Sequence, residues 1–295
     1  EERMSLTFDS ARIPNPHLTE DHLAWRDALR RFVDKEIMPY AEDWDEAGHI
    51  PIALWPKAAE VGLLGAGYPE QYGGMETDSW HSWIINEELS RVGVGGLSAS
   101  LMVHGIGLPP VINWGTEAMK AEIAPPVLRG ESWISLGITE PGGGSDVASL
   151  QTTAVRDGDH YIVNGSKTYI TGGMRANYVS TAVRTGGDGA TGVSMLLIPT
   201  DAEGFSRTAL DKKMGWWASD TATLYFDNVR VPVSNLIGQE NQGFRVIMTN
   251  FNSERMGMAA AMEAYGRVCL EEAVNWARER QTFGKRLADH QVIRH

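Results

Sequence analysis

A glycine-rich segment with hydroxyl side chains near both ends is the first part of the sequence that could bind a ligand. It reads Leu136-Gly137-Ile138-Thr139-Glu140-Pro141-Gly142-Gly143-Gly144-Ser145-Asp146-Val147. Three consecutive glycines allow backbone N–H groups to approach a phosphate or an aromatic ring system closely, because no Cβ atoms stand in the way. The segment therefore predicts a ligand-binding loop, and the alternative is a turn that leads into a surface loop.

A second glycine pattern matches the dinucleotide-binding fingerprint only by its letters: Gly187-Asp188-Gly189-Ala190-Thr191-Gly192. That fingerprint must follow a strand and open a helix, whereas a strand-like run from Val193 to Ile198 follows here. We therefore expect a loop between two strands. The sequence has no P-loop, H-E-x-x-H or G-x-S-x-G motif, and its eight histidines show no ligand spacing, which argues against metal sites and serine hydrolases.

Composition narrows the class of protein that could carry these residues. The 26 Lys and Arg against 38 Asp and Glu give a net charge of -12, which argues against nucleic-acid binding because phosphate contacts need clustered cations. No run reaches the ~18 apolar residues of a membrane span. Cys269 is the only cysteine, so disulfide scaffolds and Cys-based zinc sites are excluded and a reducing compartment is expected. We therefore expect a cytoplasmic protein, or one of the mitochondrial matrix if its source is eukaryotic.

The elements that must position the glycine-rich segment begin with helices. Thr19 can cap a helix whose apolar residues recur at helical spacing until Pro39. Further helical stretches follow at about 52–64 and 78–92, and another runs from Thr116 up to Pro125. The first part of the chain therefore predicts a helical domain, 1–131.

From about Trp133 the pattern is that of strands. Asn164-Gly165 between two apolar runs predicts a hairpin turn, and runs rich in β-branched and aromatic residues follow up to about Pro232. After Gly238 the helical pattern returns and persists to about Gln281, which implies a helix bundle. We therefore expect an α+β multidomain fold, with a middle antiparallel β domain at 132–236 and the start of a C-terminal helical domain at 237–295. The bundle would need helices beyond the end of the chain.

Four motifs in one order resemble the acyl-CoA dehydrogenase family. The first is the glycine-rich segment, and the others are Asn164-Gly165-Ser166-Lys167-Thr168-Tyr169-Ile170-Thr171-Gly172-Gly173, Phe226-Asp227-Asn228-Val229-Arg230-Val231-Pro232, and Glu279-Arg280-Gln281-Thr282-Phe283-Gly284-Lys285 with His290-Gln291. The resemblance covers essentially the whole chain. It implies FAD as cofactor, an acyl-CoA substrate, electron-transferring flavoprotein as electron acceptor and a homotetramer.

The resemblance also implies roles for single residues of the glycine-rich segment. Groups from Leu136 to Ser145, Ile138 among them, would line the flavin and its pyrophosphate. The Thr139 hydroxyl would lie at the pyrimidine end of the flavin, and Ser145 would also contact the acyl-CoA.

Two further groups of residues follow from the resemblance. Tyr169 would pack on the flavin and Thr171 would hydrogen-bond near flavin N5. The FAD of a neighbouring subunit would be reached by Arg280, Thr282, Phe283 and Gln291. Judged without the resemblance, Tyr169 would be a strand core residue and Arg280 a surface helix charge.

The implied reaction needs a carboxylate that removes a proton from the acyl-CoA. In the isovaleryl- and long-chain-type branch the base stands on the long helix immediately before an arginine, and here that position is Glu254, followed by Arg255. Asn252, Ser253 and Arg255 match positions that contact CoA or wall the acyl cavity. Methionines and small residues downstream of them favour a medium, long or branched acyl chain. A glutamate in a C-terminal portion beyond the chain is the alternative base.

Two other functions remain open beside FAD-dependent dehydrogenation. One is a flavin-dependent oxidase of the same fold that uses O2, and the other is a non-catalytic flavin-binding relative. One residue departs from the family pattern: Trp217 stands where many members have an arginine. The ion pair of that arginine cannot form here.

Overall fold

The N-terminal part of the fold consists of helices and begins at the predicted cap. In the computed structural model, which describes residues 14–295, α1 spans Glu20–Glu36 and the Thr19 hydroxyl accepts the backbone N–H of His22. The apolar side of α1 is buried at Leu29 and Val33, as its spacing predicts. The helices that follow are α2 (Ala41–Ala47), α3 (Leu54–Glu60), α4 (Ser79–Ser90), α5 (Gly95–Leu101), α6 (His104–Gly107), α7 (Pro109–Trp114) and α8 (Glu117–Leu128).

Helix α8 does not stop at Pro125, so the expected end of this helix is wrong. It continues through the Pro125-Pro126 pair to Leu128. Ile123 before the prolines and Val127 and Leu128 after them are buried in the same core. Packing on both sides of the prolines therefore keeps the last turn helical, although each proline lacks the N–H of a helix hydrogen bond.

The middle part is an eight-stranded sheet. Its strands are β1 (Ile134–Gly137), β2 (Thr153–Asp157), β3 (His160–Thr171), β4 (Tyr178–Arg184), β5 (Val193–Pro199), β6 (Phe205–Ala209), β7 (Thr221–Pro232) and β8 (Leu236–Ile237). The hydrogen-bonded order is β6-β7-β3-β2-β4-β5-β8, with β1 beside β4. Most neighbours are antiparallel, but β1 and β2 each pair with β4 in parallel, which corrects the expectation of a purely antiparallel domain. Parallel pairing is possible because other strands intervene between these partners along the chain.

The Asn164-Gly165 pair is not a hairpin turn, because β3 runs through it without reversing. The chain reverses instead at Gly158-Asp159, between β2 and β3. At Gly165 the pairing register between β3 and β7 shifts, and a Cβ atom there would lie 2.7 Å from the hydroxyl oxygen of Thr152. The glycine therefore serves a bulge at which the Thr152 backbone approaches closely.

The C-terminal part is dominated by α9 (Gly243–Glu279), the long helix that the sequence predicts. After it come the antiparallel pair β9 (Gln281–Thr282) and β10 (Lys285–Arg286) and the short helix α10 (Gln291–Arg294). The methionines and small residues of α9 do not share one side of the helix, as a cavity wall would require. Ala260 is buried, whereas Met256, Met258 and Met262 are exposed, because neighbouring helical residues point in different directions.

One hydrophobic core joins the three parts of the fold. Its members include Val111 of α7, Ile123 of α8, Ile134 of β1, Met195 of β5 and Val246 of α9. A second core lies among α1 to α5, and a third lies within the sheet. The shared core holds the first turns of α9 against the strands that lead into the glycine-rich segment.

The predicted fold class is confirmed, with a helical part, a mostly antiparallel sheet and a second helical part. The segment 187–192 forms the predicted loop between β4 and β5. Within residues 14–295 no single helix has the length and apolar character to cross a membrane. The bent helix pair Gly95–Leu101 and His104–Trp114 meets that test by length and composition only.

Candidate functional site

The glycine-rich segment and strand β3 lie side by side. The backbone N–H of Thr168 donates to the carbonyl of Thr139 at 2.8 Å, and the Ser135 hydroxyl donates to the carbonyl of Thr171 at 2.8 Å. The structure thus brings the segment 136–145 next to Tyr169 and Thr171. These are the two groups that the sequence resemblance assigned to one flavin.

A buried ion pair that the sequence analysis missed joins this segment to β3. Lys167 Nζ donates to Glu140 Oε1 at 2.7 Å and to the carbonyl of Ile138 at 3.1 Å. The Glu140 carboxylate also accepts the backbone N–H groups of Gln151 at 2.6 Å and Thr152 at 2.9 Å. Both members of the pair stand inside the quoted motifs, but nothing in the sequence shows that side chains 27 residues apart meet.

The environment of this ion pair keeps both members charged. Burial lowers the pKa of Lys167 to about 8, while Glu140 opposes the change. Burial raises the pKa of Glu140, but the charge of Lys167 and the hydrogen bonds from Lys167, Thr152 and Gln151 outweigh it and leave this pKa below its usual value. A buried pair of this kind needs its additional hydrogen bonds to offset desolvation.

Tyr169 points out of β3 instead of packing in the core. Its side chain is 65% exposed, and its φ of 59° lies in the left-handed region that non-glycine residues rarely adopt. The register between β3 and β7 shifts between Lys167 and Ile170, so Tyr169 occupies an irregular position of the strand. The interpretation of Tyr169 as a strand core residue is therefore wrong. Its ring is available to a ligand.

The backbone of the glycine-rich segment is accessible at its glycines, which carry no side chains to cover it. A Cβ atom at Gly142 or Gly143 would meet no heavy atom within 4 Å, whereas one at Gly144 would lie 3.0 Å from the Thr139 side chain. Ser145 is exposed beside these glycines. Open backbone, hydroxyl groups and an exposed aromatic ring are groups that fit a flavin and its phosphates.

Glu254 is half-buried on α9, and its carboxyl group has a raised pKa. Its carboxylate accepts a hydrogen bond from Asn250 Nδ2 at 2.7 Å, and the same amide donates to the carbonyl of Ile106 at 3.1 Å. Burial raises the pKa of Glu254 to about 7, and Arg255 opposes this rise only in part. A carboxylate with such a pKa is suited to general base catalysis.

The segment that contains α6 connects Glu254 with the glycine-rich segment. Ile106, which accepts from Asn250, precedes Gly107, whose carbonyl accepts the Ser180 hydroxyl at 2.8 Å. A Cβ atom at Gly107 would lie 2.6 Å from the carbonyl oxygen of Ile134 on β1, the strand that leads into the segment. A short chain of direct contacts therefore links the candidate base to the candidate flavin loop.

Three sequence profiles of one enzyme family match consecutive parts of the chain. They are described as the N-terminal, middle and C-terminal domains of acyl-CoA dehydrogenase and match residues 19–131, 135–229 and 241–295. The chain belongs to the acyl-CoA dehydrogenase family. The family's enzymes are FAD-dependent oxidoreductases, and this chain is therefore an FAD-dependent oxidoreductase.

Individual relatives align with nearly all of this acyl-CoA dehydrogenase chain. Acyl-CoA dehydrogenase AFT10-1 of Alternaria alternata is 40% identical over 96% of the chain and 69% of its own length. The mitochondrial long-chain specific acyl-CoA dehydrogenase of Rattus norvegicus is 34% identical over 94% and 65%.

Solved structures of the family share the fold. A probable acyl-CoA dehydrogenase from Mycobacterium abscessus superimposes with a TM-score of 0.91 at 48% identity, covering 94% of this chain and 74% of that one. A glutaryl-CoA dehydrogenase from Mycobacterium smegmatis in complex with FADH2 has a TM-score of 0.87 at 29% identity, covering 94% and 70%.

The residues next to Glu254 in this acyl-CoA dehydrogenase face solvent. Arg255 Nη1 donates to Asn252 Oδ1 at 3.2 Å, and the guanidinium lies 5.8 Å from the centre of the Phe251 ring. The Ser253 hydroxyl donates to the carbonyl of Asn250 at 2.8 Å. Asn252, Ser253 and Arg255 are all exposed, so a cation and two polar groups stand beside the candidate base. Their contacts with CoA remain a prediction.

The four residues assigned to a neighbouring subunit's FAD lie far from Glu254. Arg280 follows the last turn of α9, roughly 40 Å along the helix axis from Glu254 at about 1.5 Å per residue. Phe283 is 98% exposed at the tip of the β9–β10 pair, where Phe283 and Gly284 both have positive φ, as in a type I′ turn. Thr282 Oγ1 lies 3.0 Å from His290 Nε2, and Gln291 is exposed. Arg280, interpreted without the resemblance as a surface helix charge, is exposed at the C-cap of α9, just beyond the last helical residue.

Trp217, which stands where many members of the family have an arginine, is held in place without an ion pair. Trp217 Nε1 donates to the carbonyl of Lys213 at 2.9 Å, and the next backbone N–H, of Ala218, donates to Asp45 Oδ1 at 2.8 Å. Close by, Arg175 Nη2 lies 2.9 Å from Asp220 Oδ1, and its guanidinium is 4.7 Å from the centre of the Trp55 ring. This edge of the sheet is therefore joined to the helices by a backbone N–H and a stacked arginine.

Histidine spacing along the chain did not reveal one cluster that folding creates. His22, Asp78 and His81 place possible metal-ligand atoms within 4.8 Å of one another. His22 Nε2 lies 3.0 Å and His81 Nδ1 2.8 Å from Asp78 Oδ1. These contacts also serve helix ends, because Asp78 caps α4 and His22 belongs to the capping box of α1.

Proposed function

We propose that the protein oxidises an acyl-CoA thioester to its trans-2-enoyl-CoA, with Glu254 as the base. The observation that supports this assignment is the state of Glu254, which is half-buried, has a pKa raised to about 7, and is linked through Asn250 and Ile106 to the segment that packs on β1. A solvated helix carboxylate would show none of these properties. Bound FAD would supply the hydride acceptor for the β-carbon of the substrate.

Glu254 would remove the α-proton. A thioester α-proton is a very weak acid at neutral pH, so a carboxylate of ordinary pKa is too weak a base for it. Burial makes Glu254 a stronger base, and the amide of Asn250 orients the carboxylate at 2.7 Å. Removal of the proton also requires that the enolate-like oxygen be stabilised by hydrogen bonds and that water be excluded.

The substrate would be held beside the base. The exposed guanidinium of Arg255 can bind a CoA phosphate, with Asn252, Ser253 and Ser145 as further polar groups. We propose a medium, long or branched acyl chain. This class is supported by the name of the long-chain specific relative.

The electron acceptor and the assembly belong to the same proposal. Electrons would pass to an electron-transferring flavoprotein. The protein would act as a homotetramer, in which Arg280, roughly 40 Å from Glu254 along α9, would reach the FAD of a neighbouring subunit together with Thr282, Phe283 and Gln291.

An anaerobic titration of the full-length protein with acyl-CoAs of different length and branching tests the reaction. We expect the visible absorption of the oxidised flavin to bleach with the preferred chain. Glu254→Gln, which keeps the size of the side chain, should slow this bleaching by several orders of magnitude. Glu263→Gln is the matched control, because burial also raises the pKa of Glu263 on the same helix. Bleaching by Glu254→Gln at the wild-type rate would assign the base to another carboxylate.

A further inference from the structure

The buried pair Lys167 and Glu140 has a directional effect on one peptide unit of the glycine-rich segment. The Lys167 ammonium, which is not exposed to solvent, donates to the carbonyl oxygen of Ile138 at 3.1 Å. In a trans peptide the carbonyl and the N–H of the following residue point in opposite directions. The N–H of Thr139 therefore points away from the ammonium.

This N–H is a donor without an acceptor in the described part of the chain. Within residues 14–295 the Thr139 N–H donates to no backbone or side-chain acceptor, although the Thr139 carbonyl accepts from Thr168 at 2.8 Å. Thr139 is half-buried, and backbone N–H groups inside a fold usually have a partner, so the acceptor is expected to come from a ligand. The glycines that follow leave room for that ligand.

The negative member of the pair does not cancel this effect at the peptide. The Glu140 carboxylate accepts hydrogen bonds from Lys167 and from the N–H groups of Gln151 and Thr152, and none of these bonds involves the Ile138 carbonyl. The ammonium contacts that carbonyl directly. A cation on the carbonyl oxygen withdraws electrons from the peptide and makes its N–H a stronger donor.

We propose that Lys167 and Glu140 are positioning residues that aim the Thr139 N–H at the flavin and strengthen it as a hydrogen-bond donor. The acceptor would be the electron-rich edge of the isoalloxazine, which carries more negative charge when the flavin is reduced. The pair would therefore favour the reduced cofactor over the oxidised one, as charge near a flavin ring does. This inference rests on the proposed function, in which the segment lines the flavin.

Lys167→Met tests the inference through the reduction potential of the bound flavin. It keeps a long unbranched side chain and removes the cation. We expect the affinity for reduced FAD to fall at least about tenfold more than the affinity for oxidised FAD, which lowers the potential by about 30 mV for a two-electron couple. If the pair only held the loop in place, its loss would lower the affinities for oxidised and reduced FAD equally and leave the potential unchanged.

A second variant and a matched control keep the result interpretable. Glu140→Gln preserves the shape of the side chain and removes the anion that keeps the buried Lys167 charged, so it should shift the potential in the same direction. Glu140→Gln also tests the proposal by itself if circular dichroism and thermal melting show that Lys167→Met does not fold. Lys57→Met breaks an exposed ion pair with Glu36, in which the two charged atoms lie 2.5 Å apart, and should leave the potential unchanged.

The possible failures can be told apart. Wild-type protein that takes up no FAD would overturn the proposed function and this inference together. Wild-type protein that binds FAD, with folded Lys167→Met and Glu140→Gln variants at the wild-type potential, would overturn this inference alone.

Discussion

Glu254 illustrates how a single residue acquires chemistry from its surroundings. Burial raises its pKa to about 7, and the adjacent Arg255 points to solvent and opposes that rise only in part. The carboxylate accepts a proton only when it is ionised. We therefore expect flavin reduction by a saturating acyl-CoA to accelerate as pH rises through about 7, measured by anaerobic stopped-flow absorbance from about pH 6 to about pH 8.

Asn250→Ala provides an internal check on this pH profile. The Asn250 amide donates to the Glu254 carboxylate at 2.7 Å, and a hydrogen bond to the charged form favours ionisation. Without it the midpoint should move to higher pH. A rate that does not change across this pH range, in both wild type and variant, would contradict the role of Glu254.

Asp78 is a second residue whose effect is set by its contacts. It caps α4 through the N–H of Trp80 at 3.0 Å and also accepts from His22 and His81. We expect Asp78→Ala to lower the free energy of unfolding by about 1–2 kcal/mol, measured by urea denaturation at neutral pH. Asp159→Ala is the control, because Asp159 pairs with His160 in an exposed turn and caps no helix, so no measurable loss is expected.

The pH dependence of the Asp78 contribution has a definite sign. Hydrogen bonds from His81 and, to a lesser extent, His22 hold the pKa of Asp78 below its usual value. The contribution of Asp78 to the free energy of unfolding is therefore complete above its unfolded-state pKa of about 3.9. It is lost as pH falls through the lower pKa of the folded state. A loss for Asp78→Ala that is as large at about pH 3 as at neutral pH would contradict this account.

At the scale of elements, we predict that the glycine-rich segment serves a ligand more than it serves the fold. A Cβ atom at Gly143 would meet no atom of the chain within 4 Å, and its φ is not positive. We expect Gly143→Ala to leave the unfolding free energy of the FAD-free protein unchanged and to weaken FAD binding about tenfold or more. The first is measured by denaturation and the second by flavin fluorescence.

Two other glycines serve as comparisons for Gly143→Ala. Gly187 also has open space around it but lies in the loop between β4 and β5, so Gly187→Ala should change neither quantity. Gly165→Ala should lower stability, because its Cβ atom would lie 2.7 Å from the Thr152 hydroxyl and its φ is 142°. If Gly143→Ala destabilised the FAD-free protein as much as Gly165→Ala, the segment would be a structural turn.

At the scale of the whole molecule, an aromatic residue beyond the end of α9 is almost fully exposed, with the edge of the His290 ring, at 6.4 Å between ring centres, as its aromatic neighbour. Phe283 is 98% exposed at the tip of the β9–β10 pair. In a homotetramer that shares FAD sites, we expect Phe283→Ser to raise the dissociation constant of the assembly at least about tenfold, as loss of a buried aromatic anchor does. Light scattering over a dilution series measures the assembly, and FAD retention is followed in parallel.

Met214→Ser is the matched control for Phe283→Ser. Met214 is also fully exposed but lies before β7, outside the β9–β10 pair. Its replacement should not alter assembly. Wild-type assembly and FAD retention in Phe283→Ser would mean that this tip contacts no neighbouring subunit.

The local sequence predicted those elements that depend on interactions between residues close together in the chain. The Thr19 cap, the apolar periodicity of α1, the length of α9 and the loop at 187–192 all depend on residues a few positions apart, and each was predictable. The resemblance in motifs likewise gave the family, because four short segments matched in order. These features require no knowledge of distant contacts.

Tertiary structure alone decided the features that depend on distant partners. Asn164-Gly165 is a strong hairpin signal, yet the pairing of β3 with β7 keeps the strand extended. The buried core on both sides of Pro125 continues a helix that local rules would end. Burial likewise gives Glu254 its raised pKa, and folding brings Glu140 to Lys167. Desolvation and long-range packing are properties of the folded chain, so no local pattern in the sequence could reveal them.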